Sequence, residues 1–141
     1  MNSINTEFLD LCIDRLERAR GDIRSYEPGE YMHEVFRSFC VKEYELIEEQ
    51  VGHLLRKRLR PFFASNQEVN RLTYKDIFRH AARHELISRE QCERWFLYRD
   101  HRNNTAHRYG RGFAENTLPM LTQFVEDARA LSRVISEEFD E

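Results

Sequence analysis

The sequence predicts an all-α protein, an up-down bundle of four main helices with one additional short helix. Apolar residues recur at helical spacing through most of the chain. Five glycines and three prolines leave few points where regular structure must stop. No segment sustains the alternation of apolar and polar residues that a half-buried strand needs. Together these observations favour long helices that bury their apolar stripes against one another.

Two long helices are predicted in the first half of the chain. The first has the apolar stripe Ile4, Phe8, Leu11, Cys12 and Leu16 and is broken by Pro28-Gly29. The second runs from about Tyr31 to about Arg60 and is closed by Pro61, which makes it roughly 45 Å long. Its expected inward-facing residues are Val35, Phe36, Phe39, Cys40, Ile47, Val51, Leu54 and Leu55.

Three further helices are predicted in the second half of the chain, a short one and two main ones. A polar loop over residues 65–70 leads to Thr73, which is expected to cap the short helix. Ser88 and Gln91 have the spacing of a capping box, which opens the third main helix. The last helix presents Leu118, Leu121, Val125, Ala128, Leu131 and Ile135, with Pro119 able to kink its early part. The acidic residues 137–141 are expected to fray into solvent.

Composition indicates one domain over residues 1–141, since a chain of this length supports a single core. The net charge is −3, so the molecule as a whole is not a polycation and any anion-binding surface must be local. The cysteines Cys12, Cys40 and Cys92 are too isolated for a disulfide framework or a zinc site and are expected to be buried or half-buried thiols. No apolar run is long enough to span a bilayer, which predicts a soluble cytoplasmic protein without a membrane partner.

Basic residues are concentrated between positions 94 and 111, where Asp100 is the one acidic residue. They are Arg94, Arg99, Arg102, Arg108 and Arg111, joined by His101 and His107. In an acidic protein this cluster produces a local positive field that suits a phosphate-bearing ligand. A solvated helix face is the alternative interpretation.

The spacing of Arg102 and His107 is the most informative feature of this segment. A helix turns about 100° per residue, so positions five apart cannot share a face of one uninterrupted helix. The two side chains converge more easily if the helix ends near Ala106, as Gly110 suggests, or if two copies of the chain face each other. An imidazole can transfer protons at neutral pH, and a guanidinium can hold a phosphate in bidentate geometry.

Asn103 and Asn104 are poor residues for a helix interior, and two in succession next to Arg102 suggest a functional constraint. The structural alternative is that they simply weaken a terminal turn that His107 caps. For Tyr109 the corresponding alternative is a half-buried aromatic residue that anchors the loop.

The segment from Arg102 to Tyr109 resembles a known motif. Arg102-Asn103 followed by His107 matches the RNxxxH form of the Arg-x4-6-His motif of HEPN domains, and Tyr109 completes the Arg-x4-His-x-Tyr form of HepT-type toxins. Residues 36–46, residues 76–82 and Trp95 also resemble the small proteins named nucleotidyltransferase substrate-binding proteins. The similarity extends over most of the chain.

This resemblance implies a homodimer whose two motif segments line one cleft, and an endoribonuclease that needs neither metal nor cofactor. His107 would act as general base or acid on the ribose 2′-hydroxyl, Arg102 would stabilise the charge on the phosphate, and Asn103 would position the substrate or His107. It also implies a minimal nucleotidyltransferase antitoxin that transfers AMP to Tyr109. A non-catalytic subunit that binds a nucleotide or substrate for such a transferase remains the alternative function, and a helical dimer module whose motif only stabilises the helix end is a third.

Other candidate sites are weaker. His80 and His84 are one turn apart but have no third ligand, which favours a surface position over a metal site. The basic residues 56–60 end the second helix, where the helix dipole favours them, and can also extend an RNA path. Trp95 and Tyr98 can stack on bases, although packing inside the bundle or at a dimer seam is the expectation.

Overall fold

The structure, a computed structural model, describes residues 2–105 and 117–139. Six α-helices lie in these ranges: α1 (Glu7–Asp22), α2 (Tyr31–Leu59), α3 (Asn66–Asn70), α4 (Tyr74–Arg83), α5 (Arg89–Thr105) and α6 (Leu121–Ser136). Short 3-10 turns occupy Ile23–Ser25, Arg60–Phe62 and Leu118–Met120, and no strand occurs in the described parts of the chain. The predicted all-α class is confirmed, with α1, α2, α5 and α6 as the four main helices.

The ends of the middle helices follow from local capping chemistry. The Thr73 hydroxyl accepts from the Asp76 N–H while the Asp76 carboxylate accepts from the Thr73 N–H, which fixes the start of α4. Ser88 and Gln91 make the same reciprocal pair at 3.1 and 2.7 Å and start α5. Both predicted caps are therefore present.

The helices pack in an alternating up and down arrangement. Cys12 and Arg15 of α1 lie beside Gln50 and Glu43 of α2, and the reversed order of these partners shows that the two helices are antiparallel. Buried aromatic rings join α2, α4, α5 and α6 at the centre: Tyr44, Phe78, Trp95, Tyr98 and Phe124. This aromatic cluster holds α5, the helix that carries the start of the motif, against three others.

The predicted apolar stripes are wrong at several positions on α1 and α2. Cys12 and Leu16 are buried as predicted, but Phe8 and Leu11 are 55% and 44% exposed, and Leu9 and Ile13 fill the core instead. On α2, Val35 and Phe39 are 39% and 40% exposed. Each helix is apolar over more of its circumference than its neighbours cover, so the spacing alone did not identify the buried side. An apolar surface therefore remains along α1 and α2.

Three smaller expectations also differ from the structure. Residues 66–70 form α3 rather than a loop, because Ser65 caps the Glu68 N–H and Val69 is buried. Pro119 lies in the 3-10 turn before α6 and does not kink the helix. The tail is held as far as Phe139, whose backbone pairs with Asn2 at 2.9 and 3.0 Å.

Candidate functional site

The motif begins on the last described turn of α5. Arg102 is half-buried there, and Asn103 is exposed. His107 and Tyr109 lie outside the described residues, as does the predicted end of the helix near Ala106; α5 is helical as far as Thr105. The geometry of the site is therefore described around Arg102.

Arg102 lines a pocket of about 350 Å³ between α2, α4 and α5. The lining residues are Glu49, Gly52, His53 and Arg56 of α2, Tyr74 and Ile77 of α4, and Arg99 and Arg102 of α5. We call this space the arginine pocket. Its three guanidinium groups come from two helices, because Arg99 and Arg102 are one turn apart on α5 and Arg56 lies on α2.

Arg99 is positioned by Tyr74. Its guanidinium carbon lies 4.2 Å from the centre of the Tyr74 ring, a cation–π contact that holds the guanidinium against the ring. Tyr74 itself lies close against α2, since a Cβ atom at Gly52 would come within 2.8 Å of its ring. Gly52 thus allows the ring to approach the helix, and the ring in turn orients Arg99 along the wall of the pocket.

Glu48 is a buried carboxyl behind this wall. The Tyr74 hydroxyl donates to Glu48 Oε2 over 2.7 Å and to the Glu48 carbonyl oxygen over 3.1 Å. Burial raises the pKa of Glu48 to about 7, although Tyr74, Arg99 and Arg102 all favour its charged form. The carboxyl is therefore in part uncharged near neutral pH and cancels only part of the positive charge of the pocket.

Arg56 is held by backbone carbonyls. Its Nη1 donates to the carbonyl oxygen of Val69 over 2.6 Å and its Nη2 to that of Leu72 over 3.1 Å. These bonds satisfy carbonyls at and beyond the end of α3 and fix the guanidinium at the edge of the pocket. The basic end of α2 thus does more than end its own helix, because Arg56 also binds carbonyls of residues 69 and 72 and lines the arginine pocket.

A buried network on the other side of α5 fixes the helix. Asp127 of α6 accepts two hydrogen bonds from Arg94, at 2.7 and 2.8 Å, and one from the Tyr98 hydroxyl at 2.5 Å. The Tyr44 hydroxyl of α2 donates to the Tyr98 carbonyl oxygen over 2.5 Å. The predicted basic cluster is therefore divided, with Arg94 in a structural ion pair and Arg99 and Arg102 in the arginine pocket.

The neighbours of Arg102 have structural partners. Asp100 forms an exposed ion pair with Lys75 at 2.8 Å. His101 packs edge-on against Tyr44, its Nε2 contacts the Thr117 hydroxyl, and burial lowers its pKa. His101 thus connects α5 to Thr117, the residue directly before the 3-10 turn that leads into α6.

The other candidates have structural surroundings. His84 stacks on Phe62 at 3.9 Å and His80 packs against Phe63, and the described residues contain no cluster that could hold a metal ion. Trp95 is buried in the aromatic cluster, as expected from packing. All three cysteines are buried thiols, which confirms that prediction.

Several residues of the pocket were not predicted from the sequence: Glu49, Gly52, His53 and Tyr74. Neither was Glu48 behind its wall. Positions 49, 52, 53 and 56 have the spacing of one helix face, which is a detectable pattern of polar and small residues within α2. The approach of Tyr74 to this face has no local pattern, because it depends on how α4 folds back onto α2.

With this architecture and site, the chain belongs to the nucleotidyltransferase substrate binding protein-like family, whose model matches residues 7–137. The match covers all the described helices and the whole motif. Among the residues described above, no helix is long and apolar enough to cross a membrane.

A curated relative and a solved structure, both from Haemophilus influenzae, are similar to the chain. One, named "Probable ribonuclease HepT", is 25% identical over 92 residues, which are 65% of this chain and 62% of that protein. The chain therefore aligns with less than two thirds of that relative. The other is a solved structure described as the fold of a substrate binding domain of a nucleotidyltransferase, with a TM-score of 0.78 and 21% identity over 93% of this chain and 98% of that one. At this identity the second similarity establishes the fold.

Proposed function

We propose that this protein is an endoribonuclease toxin that cleaves RNA without a metal ion, using Arg102 and His107. The observation that carries the proposal is the arginine pocket, which places three guanidinium groups together in a protein of net charge −3. RNA is a polyanion, and local positive charge is the main source of affinity for its phosphates. The name of the ribonuclease relative supports the same class of activity.

The proposed reaction is an internal transfer at phosphorus. His107 removes the proton from a ribose 2′-hydroxyl, and the 2′ oxygen forms a bond to the adjacent phosphorus. The bond from phosphorus to the 5′ oxygen then breaks, and that oxygen takes up a proton to give a 5′-hydroxyl end and a 2′,3′-cyclic phosphate. Arg102 stabilises the charge that develops on the phosphate oxygens, and Asn103, which is exposed beside it, orients the substrate or His107.

We further propose a homodimer whose two motif segments face one cleft. The exposed Val35 and Phe39 support it, because they line one groove with Ala19 of α1 and exposed apolar patches mark protein interfaces. Phe8 and Leu11 are further exposed apolar side chains, nearer the start of α1. Phe39, Leu46 and His53 are seven residues apart on α2, so the apolar surface and a wall of the arginine pocket share one side of that helix. A second copy that covers the apolar surface would therefore lie beside the pocket.

The family description supports a nucleotidyltransferase as partner. In the proposed pair, a minimal nucleotidyltransferase antitoxin transfers AMP to Tyr109. An AMP group two residues after His107 would introduce negative charge and bulk next to the site and so oppose an incoming RNA phosphate.

Cleavage of RNA by purified protein in excess EDTA tests the proposed activity. We expect Arg102→Ala and His107→Ala to lower the cleavage rate at least 100-fold, the usual contribution of a general acid or base. Arg89→Ala is the matched control, because this side chain is 88% exposed at the opposite end of the same helix. Equal cleavage by all four proteins would contradict the proposal.

The second candidate function is a non-catalytic subunit that binds a nucleotide or substrate for a transferase, which the family description favours. It predicts ligand binding that depends on Arg102 without cleavage of RNA. Co-purification with the neighbouring gene product and mass analysis of the Tyr109 peptide separate the two functions. An added AMP supports the antitoxin, and a stable complex with an unmodified Tyr109 and no nuclease activity supports the binding subunit.

A further inference from the structure

The arginine pocket contains more binding groups than a single reacting phosphate requires. Arg102 suffices for the charge of the scissile group in the proposed reaction, yet Arg56 and Arg99 share its pocket. From this arrangement we infer that Arg56 and Arg99 form a second phosphate subsite, which binds the RNA phosphate next to the one that is cleaved. This inference rests on the proposed function, because RNA is the ligand in both.

The orientation of Arg99 suits an anion in the pocket. The Tyr74 ring lies 4.2 Å from its guanidinium carbon, so the N–H donors away from the ring are the groups that remain for a ligand. Among the described residues, neither Arg99 nor Arg56 forms an ion pair with a carboxylate. An anion would therefore not have to displace a carboxylate of the described residues from either side chain.

Arg56 contributes charge at a fixed position. Its two terminal nitrogens are held by the carbonyls of Val69 and Leu72, so little side-chain entropy is lost when an anion binds. Arg56 reaches the pocket from α2, and Arg99 reaches it from α5. Arg102 also lies on α5, one turn nearer than Arg99 to His107 in the sequence. In the proposed subsite Arg102, nearer in sequence to His107, therefore binds the reacting phosphate, and Arg99 binds the neighbouring one together with Arg56.

The carboxylates near the pocket oppose an anion only weakly. Glu49 is the acidic lining residue in the described part of the chain, and its side chain is exposed, where water and salt screen its charge. Glu48 is buried behind Tyr74 and in part protonated near neutral pH, as described above. His53, exposed on the α2 wall, adds a further hydrogen-bond donor. The balance of charge in the pocket thus remains positive.

Binding of short analogues that cannot be cleaved tests the subsite independently of catalysis. The probes are a 2′-O-methyl dinucleotide with one internal phosphate and the corresponding trinucleotide with two, both without terminal phosphates. We expect the wild-type protein to bind the trinucleotide at least about tenfold more tightly, the effect of charge-assisted hydrogen bonds to one additional phosphate. Arg99→Ala and Arg56→Ala should reduce this preference to near one, and Arg83→Ala, an exposed arginine on α4, should retain it.

The dependence of binding on salt separates a phosphate contact from a structural role. Each single-stranded phosphate contact contributes a slope of about 0.7 in log affinity against log salt, so Arg99→Ala should lower the trinucleotide slope by about that amount. Arg99→Lys keeps the charge and should keep the slope while it loses part of the affinity. Circular dichroism shows whether each variant is folded.

Two outcomes would overturn the subsite. One is equal affinity of the wild-type protein for both probes. The other is binding of inorganic phosphate or AMP through Arg99 without a preference for the trinucleotide. That result would show that the pocket binds a free phosphate or a nucleotide. The binding assay separates this failure from failure of the proposed function, since a trinucleotide preference without cleavage retains the subsite and rejects the nuclease.

Discussion

The hydroxyl of Tyr74 lies 2.7 Å from Glu48 Oε2 and donates to it, which joins α4 to α2 directly behind the arginine pocket. The same tyrosine ring supports Arg99 on its other side. Tyr74 therefore connects a buried carboxyl, through its hydroxyl, to a cation of the binding surface, through its ring.

The titration of Glu48 should appear in the pH dependence of stability. Burial raises its pKa from 4.5 to about 7, so the native state binds the proton more tightly than the unfolded state does. The free energy of unfolding of the wild type should therefore fall as the pH rises through this interval, by about 3 kcal/mol. Chemical denaturation near pH 4.5 and pH 8 measures it.

Glu48→Gln cannot titrate and should lack this loss, so the variant should gain stability relative to the wild type as the pH rises. Glu49→Gln is the matched control, since Glu49 is the exposed neighbour on the same helix. A wild type and a Glu48→Gln variant with parallel pH profiles would show that Glu48 has an ordinary pKa in the folded protein.

Gly52→Ala should disturb the pocket through Tyr74. The added methyl group would lie 2.8 Å from the Tyr74 ring, and moving the ring strains the hydrogen bond to Glu48. Overpacking of this kind costs about 1–3 kcal/mol, partly offset by about 1 kcal/mol of helix propensity gained. We expect a lower melting temperature and weaker binding of the trinucleotide analogue. Gly21→Ala, where nothing lies within 4 Å of the added carbon, should not destabilise the protein.

Asp127 should be a large contributor to stability. It is 3% exposed and accepts hydrogen bonds from Arg94 and Tyr98, so Asp127→Ala leaves a buried hydroxyl and a guanidinium without their acceptor. We expect a loss of about 3 kcal/mol in chemical denaturation. Asp14→Ala removes an exposed partner of Arg129 and should cost less than about 1 kcal/mol. Similar losses in the two variants would contradict the structural role of Asp127.

The three thiols should be unreactive in the folded protein. Burial raises the pKa of Cys12 and Cys92 and that of Cys40 to about 12, so little thiolate forms near pH 8. A thiol reagent such as dithionitrobenzoate should react slowly with the native protein and with three thiols per chain in denaturant. Rapid reaction of even one thiol before unfolding would show that a cysteine is accessible.

The fold was predictable because local sequence determines much of it. Thr73 and Ser88 start helices by capping chemistry that involves residues within one turn, and both caps were identified correctly. The choice of buried side on α1 was not predictable, since Phe8 and Leu9 are both apolar and only the packing of α2 and α6 decides between them.

The site was predictable only where it is a local motif. Arg102 and Asn103 were singled out by the motif that they resemble, and the structure locates them at the described end of α5. The parts contributed by Glu48, Gly52 and Tyr74 arise from the contact between α2 and α4, which are separated by the turn after α2 and by α3. No pattern within one helix specifies such a contact, so these residues became visible only in three dimensions.

The chemical ends of the RNA products test the central claim most directly. A short DNA oligonucleotide that contains one ribonucleotide is incubated with purified protein in EDTA. The products are analysed by mass spectrometry. The proposed mechanism predicts one cut, immediately after the ribonucleotide, with a 2′,3′-cyclic phosphate and a 5′-hydroxyl end. Cleavage of the fully 2′-deoxy strand, or products that carry a 5′-phosphate, would contradict it.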